Sequence, residues 1–142
     1  MKLVYIFIAL LSLLNYSFAQ LPADNTIRVK YVGAMVRSTA RISPQNFDSA
    51  FASSMYTDTL IKKPELFAKL WNSYKDVSYS KDQKVQDIRY KITLYFSIYT
   101  PAVTIYLNSF YDSFDEKGLI KNGNFLRTLH HLLDAVVYKK PI

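Results

Sequence analysis

The stretch IRYKITLYFSI, residues 88–98, carries an apolar or aromatic residue at every even position. A period of two residues indicates a β-strand with one buried and one solvent-facing side, because a helix would spread these residues around its axis. After a short turn around Thr100–Pro101 the alternation resumes with Val103, Ile105 and Leu107. Two such runs predict an antiparallel hairpin, and the rest of the chain is organised around it.

Two amphipathic helices are predicted, one before this hairpin in the sequence and one after it. The first begins at Pro64, a residue favoured in the first turn of a helix, and its apolar residues recur at helical spacing as far as Val77. The second follows the turn signal Asn122-Gly123, is capped by Asn124 and ends before Pro141. Each helix has one apolar stripe, so each needs a surface to bury it against.

The remaining segments complete an α+β fold. The predicted order of elements is β-β-α-β-α-β-β-(β)-α, with a mostly antiparallel sheet and the two amphipathic helices packed on one face. Segments rich in β-branched and aromatic residues are predicted as strands, a segment after Ser43-Pro44 as a short helix, and two polar segments as loops. These are strands 26–36, 39–42, 55–61 and 118–121, helix 44–53, and loops 78–86 and 111–117.

The first 19 residues have the pattern of a secretory signal peptide. Lys2 supplies the positive charge, residues 3–14 form the apolar region, and Ser17-Phe18-Ala19 offers small residues where a signal peptidase cleaves. The alternative is an uncleaved anchor, but the apolar region is shorter than the about 20 residues that span a bilayer. We expect export to the periplasm or the cell exterior, with residues 20–142 as a single domain and no membrane span after cleavage.

Composition limits the chemistry that is available. The chain has no cysteine, which excludes disulfides and thiolate metal sites. It has 18 basic and 11 acidic residues, a formal charge of +7 that falls to +6 without Lys2. Such a charge favours anionic partners, namely glycans, nucleic acid or envelope surfaces, although solubility alone also explains it.

Motifs for catalysis or for a cofactor are scarce, and no catalytic residue, cofactor or metal is predicted. The only histidines, His130 and His131, form an H-H-x-x-D run with Asp134 on the last helix. A His131–Asp134 pair one turn apart supports an alternative hypothesis, a small secreted hydrolase, although a solvated helix face explains the same pattern. Three carboxylates before Gly118 do not match a calcium loop and are interpreted as a solvated loop: Asp112, Asp115 and Glu116.

The solvent-facing side of the hairpin is the predicted binding site. If the turn centres on Thr100–Pro101, Tyr95 lies opposite Tyr106, with Lys91 and Arg89 further along the same side. Two rings beside two cations suit a stacked sugar or single-stranded nucleic acid, while an ordinary solvated sheet face is the alternative.

The sequence therefore favours a non-enzymatic binding module over an enzyme. Its predicted partner is an anionic or sugar-rich ligand, such as an acidic glycan, or another protein, with nucleic acid less favoured. The predicted ligand-binding residues are Arg89, Lys91, Tyr95 and Tyr106.

Overall fold

A computed structural model of the chain describes residues 25–33, 35–38, 40–80, 87–97 and 103–139. The predicted signal peptide and the predicted turn at 100–101 lie outside these ranges. No described helix is long and apolar enough to cross a membrane. The strands are β1 (Thr26–Val32), β2 (Tyr56–Ile61), β3 (Ser78–Ser80), β4 (Ile88–Tyr95), β5 (Val103–Asn108), β6 (Ser113–Asp115) and β7 (Gly118–Lys121), and the helices are α1 (Pro64–Lys75) and α2 (Gly123–Val137).

The seven strands form one sheet in the order β2-β1-β4-β5-β6-β7-β3, and every neighbouring pair is antiparallel. The strand with the strictest alternation, β4, lies inside the sheet between β1 and β5. This confirms the predicted α+β class with an antiparallel sheet. The sheet also contains β3 and β6, which fall within segments predicted as loops. Both have only three residues, too few for alternation to be recognised from sequence.

Both helices pack on one side of the sheet, called here the helix side. Tyr90, Ile92 and Leu94 of β4 point to this side and are buried, as the alternation predicts. The helices bury their apolar stripes against these residues, which removes the apolar surface of both layers from water at once. The fully buried helix residues of this core are Leu70, Phe125, Leu129, Leu132 and Leu133.

The helix ends follow from local chemistry. Pro64 occupies the first turn of α1 and Glu65 follows it, where a negative charge suits the positive end of the helix dipole. The cap of α2 is Asn122, whose side-chain oxygen accepts hydrogen bonds from the backbone N–H groups of Asn124 (2.9 Å) and Phe125 (3.1 Å). The predicted cap, Asn124, was therefore wrong by two residues, because Gly123 already belongs to the first turn.

The opposite side of the sheet, called here the outer side, is partly covered by residues 40–55, the cover segment. The strand predicted at 39–42 is absent from the described residues 40–42, and the helix predicted at 44–53 is replaced by 3₁₀ turns at Phe47–Ser49 and Ser53–Met55. Short helices are marginal by themselves, so tertiary contacts determine the backbone here. Phe47 is fully buried and packs edge-on against Tyr56 at 5.4 Å between ring centroids.

A bulge in β4 supplies part of the surface that the cover segment packs on. Ile88 pairs with Asn108 and Tyr90 with Leu107, so Arg89 is an extra residue in β4. The extra residue turns Ile88 to the outer side, where it packs in a second core. The prediction that Ile88 shares the side of Tyr90 was therefore wrong. The buried residues of the second core are Val32, Ile42, Phe47, Ile88 and Phe114.

The predicted register of the hairpin was also wrong. Lys91, not Tyr95, lies opposite Tyr106, and Tyr95 lies opposite Thr26 of β1. The cause is a longer connection: β4 ends at Tyr95 and β5 begins at Val103. The register beyond the bulge moves by an even number of residues, and an even shift leaves the β4 side chains from Tyr90 to Tyr95 on their predicted sides of the sheet.

Candidate functional site

Three cations converge on the outer side of the sheet. Ile27 and Val29 of β1 are buried on the helix side, so alternation places Arg28 and Lys30 on the outer side. Lys91 of β4 lies directly opposite Lys30. Like charges in directly opposed positions destabilise a sheet unless an anion lies between them.

Asp48 of the cover segment supplies that anion. Lys30 Nζ donates to Asp48 Oδ1 at 2.8 Å, and Lys91 Nζ donates to Asp48 Oδ2. Burial of Asp48 raises the pKa of its carboxyl, but the hydrogen bonds from Lys30 and Lys91 outweigh burial and leave the pKa below its usual value. One carboxylate is thus held ionised between two lysines, and these contacts tie the cover segment to β1 and β4.

Arg28 has a partner of its own on the neighbouring strand. Its Nε donates to Asp58 Oδ1 at 2.9 Å and its Nη2 donates to Asp58 Oδ2 at 2.5 Å. Such paired contacts match the planar guanidinium to a carboxylate. The hydrogen bond with Asp58 raises the pKa of Arg28 above its ordinary value, with a smaller contribution from Tyr95.

These side chains border a cavity of about 300 Å³ on the outer side, called here the outer pocket. Its wall combines charged groups with the hydroxyl groups of two threonines and a tyrosine. The three cations face two carboxylates, Asp48 and Asp58, so one positive charge is in excess. The residues that line the outer pocket are Arg28, Lys30, Asp48, Lys91, Thr93, Tyr95 and Thr104.

Only two of the four predicted binding residues lie at the outer pocket. Lys91 and Tyr95 line the outer pocket, but Arg89 and Tyr106 do not. Arg89 sits at the bulge, where its Nη2 donates to Asp87 Oδ2 at 2.7 Å and its Nη1 donates to the Val36 carbonyl at 2.7 Å. Its guanidinium thus fastens the chain after β1 to the start of β4. Tyr106 packs against the second core.

Sequence reasoning missed Arg28, Lys30 and Asp48. A signal for the first two existed, because the polar residues of β1 alternate with buried apolar ones. Asp48 had no such signal, since only the packing of the cover segment brings it over β1 and β4.

Two of the three carboxylates before Gly118, Asp112 and Asp115, accept hydrogen bonds from neighbouring side chains. The hydroxyl groups of Tyr74 and Tyr79 both donate to Asp115 Oδ2 at 2.6 Å. Burial, followed by the hydrogen bond to Asp115, raises the pKa of both tyrosines. Asp112 accepts a hydrogen bond from the side chain of Asn108 at 3.0 Å. No group of three or more acidic or histidine residues in the described ranges could hold a metal ion.

The predicted His131–Asp134 pair lies on α2, away from the outer pocket. His131 is exposed and borders a groove of about 500 Å³ between α1 and α2, with Ser73 of α1 also on its wall. The Ser73 hydroxyl donates to the Leu70 carbonyl of its own helix at 2.9 Å. Within the described ranges no hydrogen bond joins His131 to Ser73.

Comparison with known proteins finds no match to a protein-family model, to a curated protein or to a solved structure.

Proposed function

We propose that the protein is a non-enzymatic binding module whose outer pocket takes a small anionic ligand with hydroxyl groups, such as a sugar acid. The observation that carries this proposal is the direct opposition of Lys30 and Lys91 beside Arg28 on one side of the sheet. Their ammonium groups already share one carboxylate, so they are spaced for a carboxylate of a ligand. The predicted signal peptide supports a site of action in the periplasm or outside the cell.

The size and the lining of the outer pocket support a small, polar ligand. Its volume of about 300 Å³ is at the lower end for small-molecule sites. The hydroxyl groups of Thr93, Thr104 and Tyr95 can both donate and accept hydrogen bonds, as sugar hydroxyls require. The ring of Tyr95 adds a flat apolar surface.

Asp48 competes with the ligand in this proposal. Its side chain is half exposed, and it belongs to a 3₁₀ turn of only three residues. A bound carboxylate takes over hydrogen bonds that Lys30 and Lys91 now donate to Asp48. Removal of the Asp48 charge should therefore strengthen ligand binding while it weakens the attachment of the cover segment.

Calorimetric titration with glucuronate, and with glucose as its uncharged counterpart, tests the proposal. We expect glucuronate to bind more tightly than glucose. Added salt should weaken the binding of glucuronate. Lys91→Ala should weaken binding about tenfold or more, because a hydrogen bond to a charged group contributes about 1.5–3 kcal/mol. Asp48→Asn should tighten it.

Lys121→Ala is the matched control, because it removes the same charge from an exposed position on β7. It should bind glucuronate as the parent does. If Lys91→Ala also binds as the parent does, or if Asp48→Asn weakens binding, the outer pocket is not the ligand site.

A further inference from the structure

A groove runs between the two helices on the side of the molecule opposite the outer pocket. The amide of Asn122, which caps α2, donates to the carbonyl of Asp76 at the end of α1 at 3.0 Å, so the helices run antiparallel. The groove between them, of about 500 Å³, adjoins a second depression of about 610 Å³ at the start of α1, since Leu66 and Lys69 line both. The two together are called here the helix groove.

The cations of the helix groove, unlike those of the outer pocket, have no ionic partners among the described residues. Four of them line it, and no described carboxylate oxygen lies within 4.0 Å of their nitrogens. Among the described residues of the lining Glu65 is the only carboxylate, which leaves three positive charges in excess. In the outer pocket, by contrast, Arg28, Lys30 and Lys91 all have ionic partners. The four cations are Lys62, Lys63, Lys69 and Arg127.

We propose that the helix groove binds a strand of an acidic polysaccharide. Uncompensated charges that line one depression attract a polyanion more strongly than the same charges scattered over the surface. The groove follows α1, which is about 18 Å long at 1.5 Å per residue, so it suits a chain better than a single ion. This site is separate from the outer pocket and does not depend on it.

The lining favours a sugar chain over the other polyanions. Single-stranded nucleic acid is held by stacking of bases on large aromatic rings, and the described lining has the imidazole of His131 but no phenylalanine, tyrosine or tryptophan. An anionic bilayer is bound through exposed large apolar side chains, and those of the described residues lie elsewhere, for instance Met35 and Phe110. Hydroxyl and amide groups line the groove instead, and they suit sugar hydroxyls: Ser73, Asn124 and Thr128.

Binding to polygalacturonate, with neutral dextran as the uncharged counterpart, tests this proposal. The double variant Lys69→Ala/Arg127→Ala should weaken polygalacturonate binding about tenfold or more and flatten its dependence on salt. The matched control Arg37→Ala/Arg41→Ala removes two exposed charges that lie outside the groove lining, and it should change binding less than about twofold. Glu65→Gln should tighten binding, because it removes a negative charge that repels the polyanion. All of these positions are exposed, and thermal unfolding of each variant confirms its fold.

Several results would overturn the proposal. Equal losses in the groove variant and in its control would show attraction by net charge alone. Tighter binding of an oligothymidylate or of phosphatidylglycerol vesicles than of polygalacturonate would assign the groove to nucleic acid or to membrane. Absence of polygalacturonate binding would show that the helix groove is not a site for acidic polysaccharide. Lys69→Ala/Arg127→Ala should keep the affinity of the outer pocket for free glucuronate, and Lys91→Ala should lose it, so this proposal and the proposed function fail separately.

Discussion

Trp71 connects the helix layer to the end of β4. Its ring lies 4.3 Å from the ring of Phe96 between centroids and 5.7 Å from that of Tyr74. The contact with Phe96 places Trp71 against the end of the hairpin strand β4. The Trp71 side chain remains partly exposed, in contrast to the fully buried Leu70 beside it.

Trp71→Ala should lower the free energy of unfolding by about 2–3 kcal/mol, less than the about 3–5 kcal/mol typical of a fully buried aromatic residue. Denaturant unfolding of parent and variant measures this difference. Trp71→Phe keeps a ring against Phe96 and should recover more than half of the loss. A loss below about 1 kcal/mol for Trp71→Ala would show that these ring contacts contribute little.

Single residues also mark how far the sequence could determine the site. Alternation assigned Lys91 and Tyr95 to the outer side, and both line the outer pocket. Ile88 obeys the same alternation, yet the bulge at Arg89 turns it to the other side. A bulge changes the side of one residue without changing composition or spacing, so the pattern carries no sign of it.

At the scale of elements, the cover segment is the part that sequence predicted least well. Its predicted helix had an N-cap, a proline and two phenylalanines at helical spacing, all of which are local signals. Its backbone is instead determined by distant contacts, such as the hydrogen bond from the Ile88 N–H to the Ile42 carbonyl at 2.9 Å. The two hairpin strands were recognised because their signal, burial of one side, coincides with their tertiary contacts, but β4 ends at Tyr95 and its register with β5 differs from the predicted one.

The attachment of the cover segment should depend on pH through Asp48. A carboxyl whose pKa is lower in the folded state stabilises the protein above its ordinary pKa of about 3.9, and this contribution is lost as the pH falls through the folded-state value. Asp48→Asn should therefore be less stable than the parent at pH 7. The difference should shrink from about pH 5 downward.

Denaturant midpoints of both proteins between pH 7 and acid conditions measure this difference. Glu116→Gln is the control, since Glu116 is exposed and makes no ion pair with another described residue. Its difference from the parent should stay small throughout. A difference for Asp48→Asn that does not change with pH would mean that its ion pairs contribute nothing to stability.

At the scale of the whole molecule, the two sides of the domain carry different kinds of positive charge. The outer pocket holds cations that are balanced almost completely by Asp48 and Asp58, which suits a small ligand that competes for them. The helix groove holds cations without ionic partners among the described residues, which suits a longer polyanion. The composition predicts an excess of positive charge. Only the fold shows that part of this charge lies at the outer pocket and part at the helix groove.

The predicted signal-peptide cleavage site also concerns the whole molecule. Cleavage after Ala19 would leave six residues before β1, which begins at Thr26. β1 pairs with both β2 and β4, and Thr26 is fully buried, so the domain needs the chain from this point onward. We expect the exported protein to begin at Gln20, and intact-mass analysis of the protein recovered outside the cytoplasm measures this. A product that keeps residues 1–19 and fractionates with membranes would instead show that the apolar segment acts as an anchor.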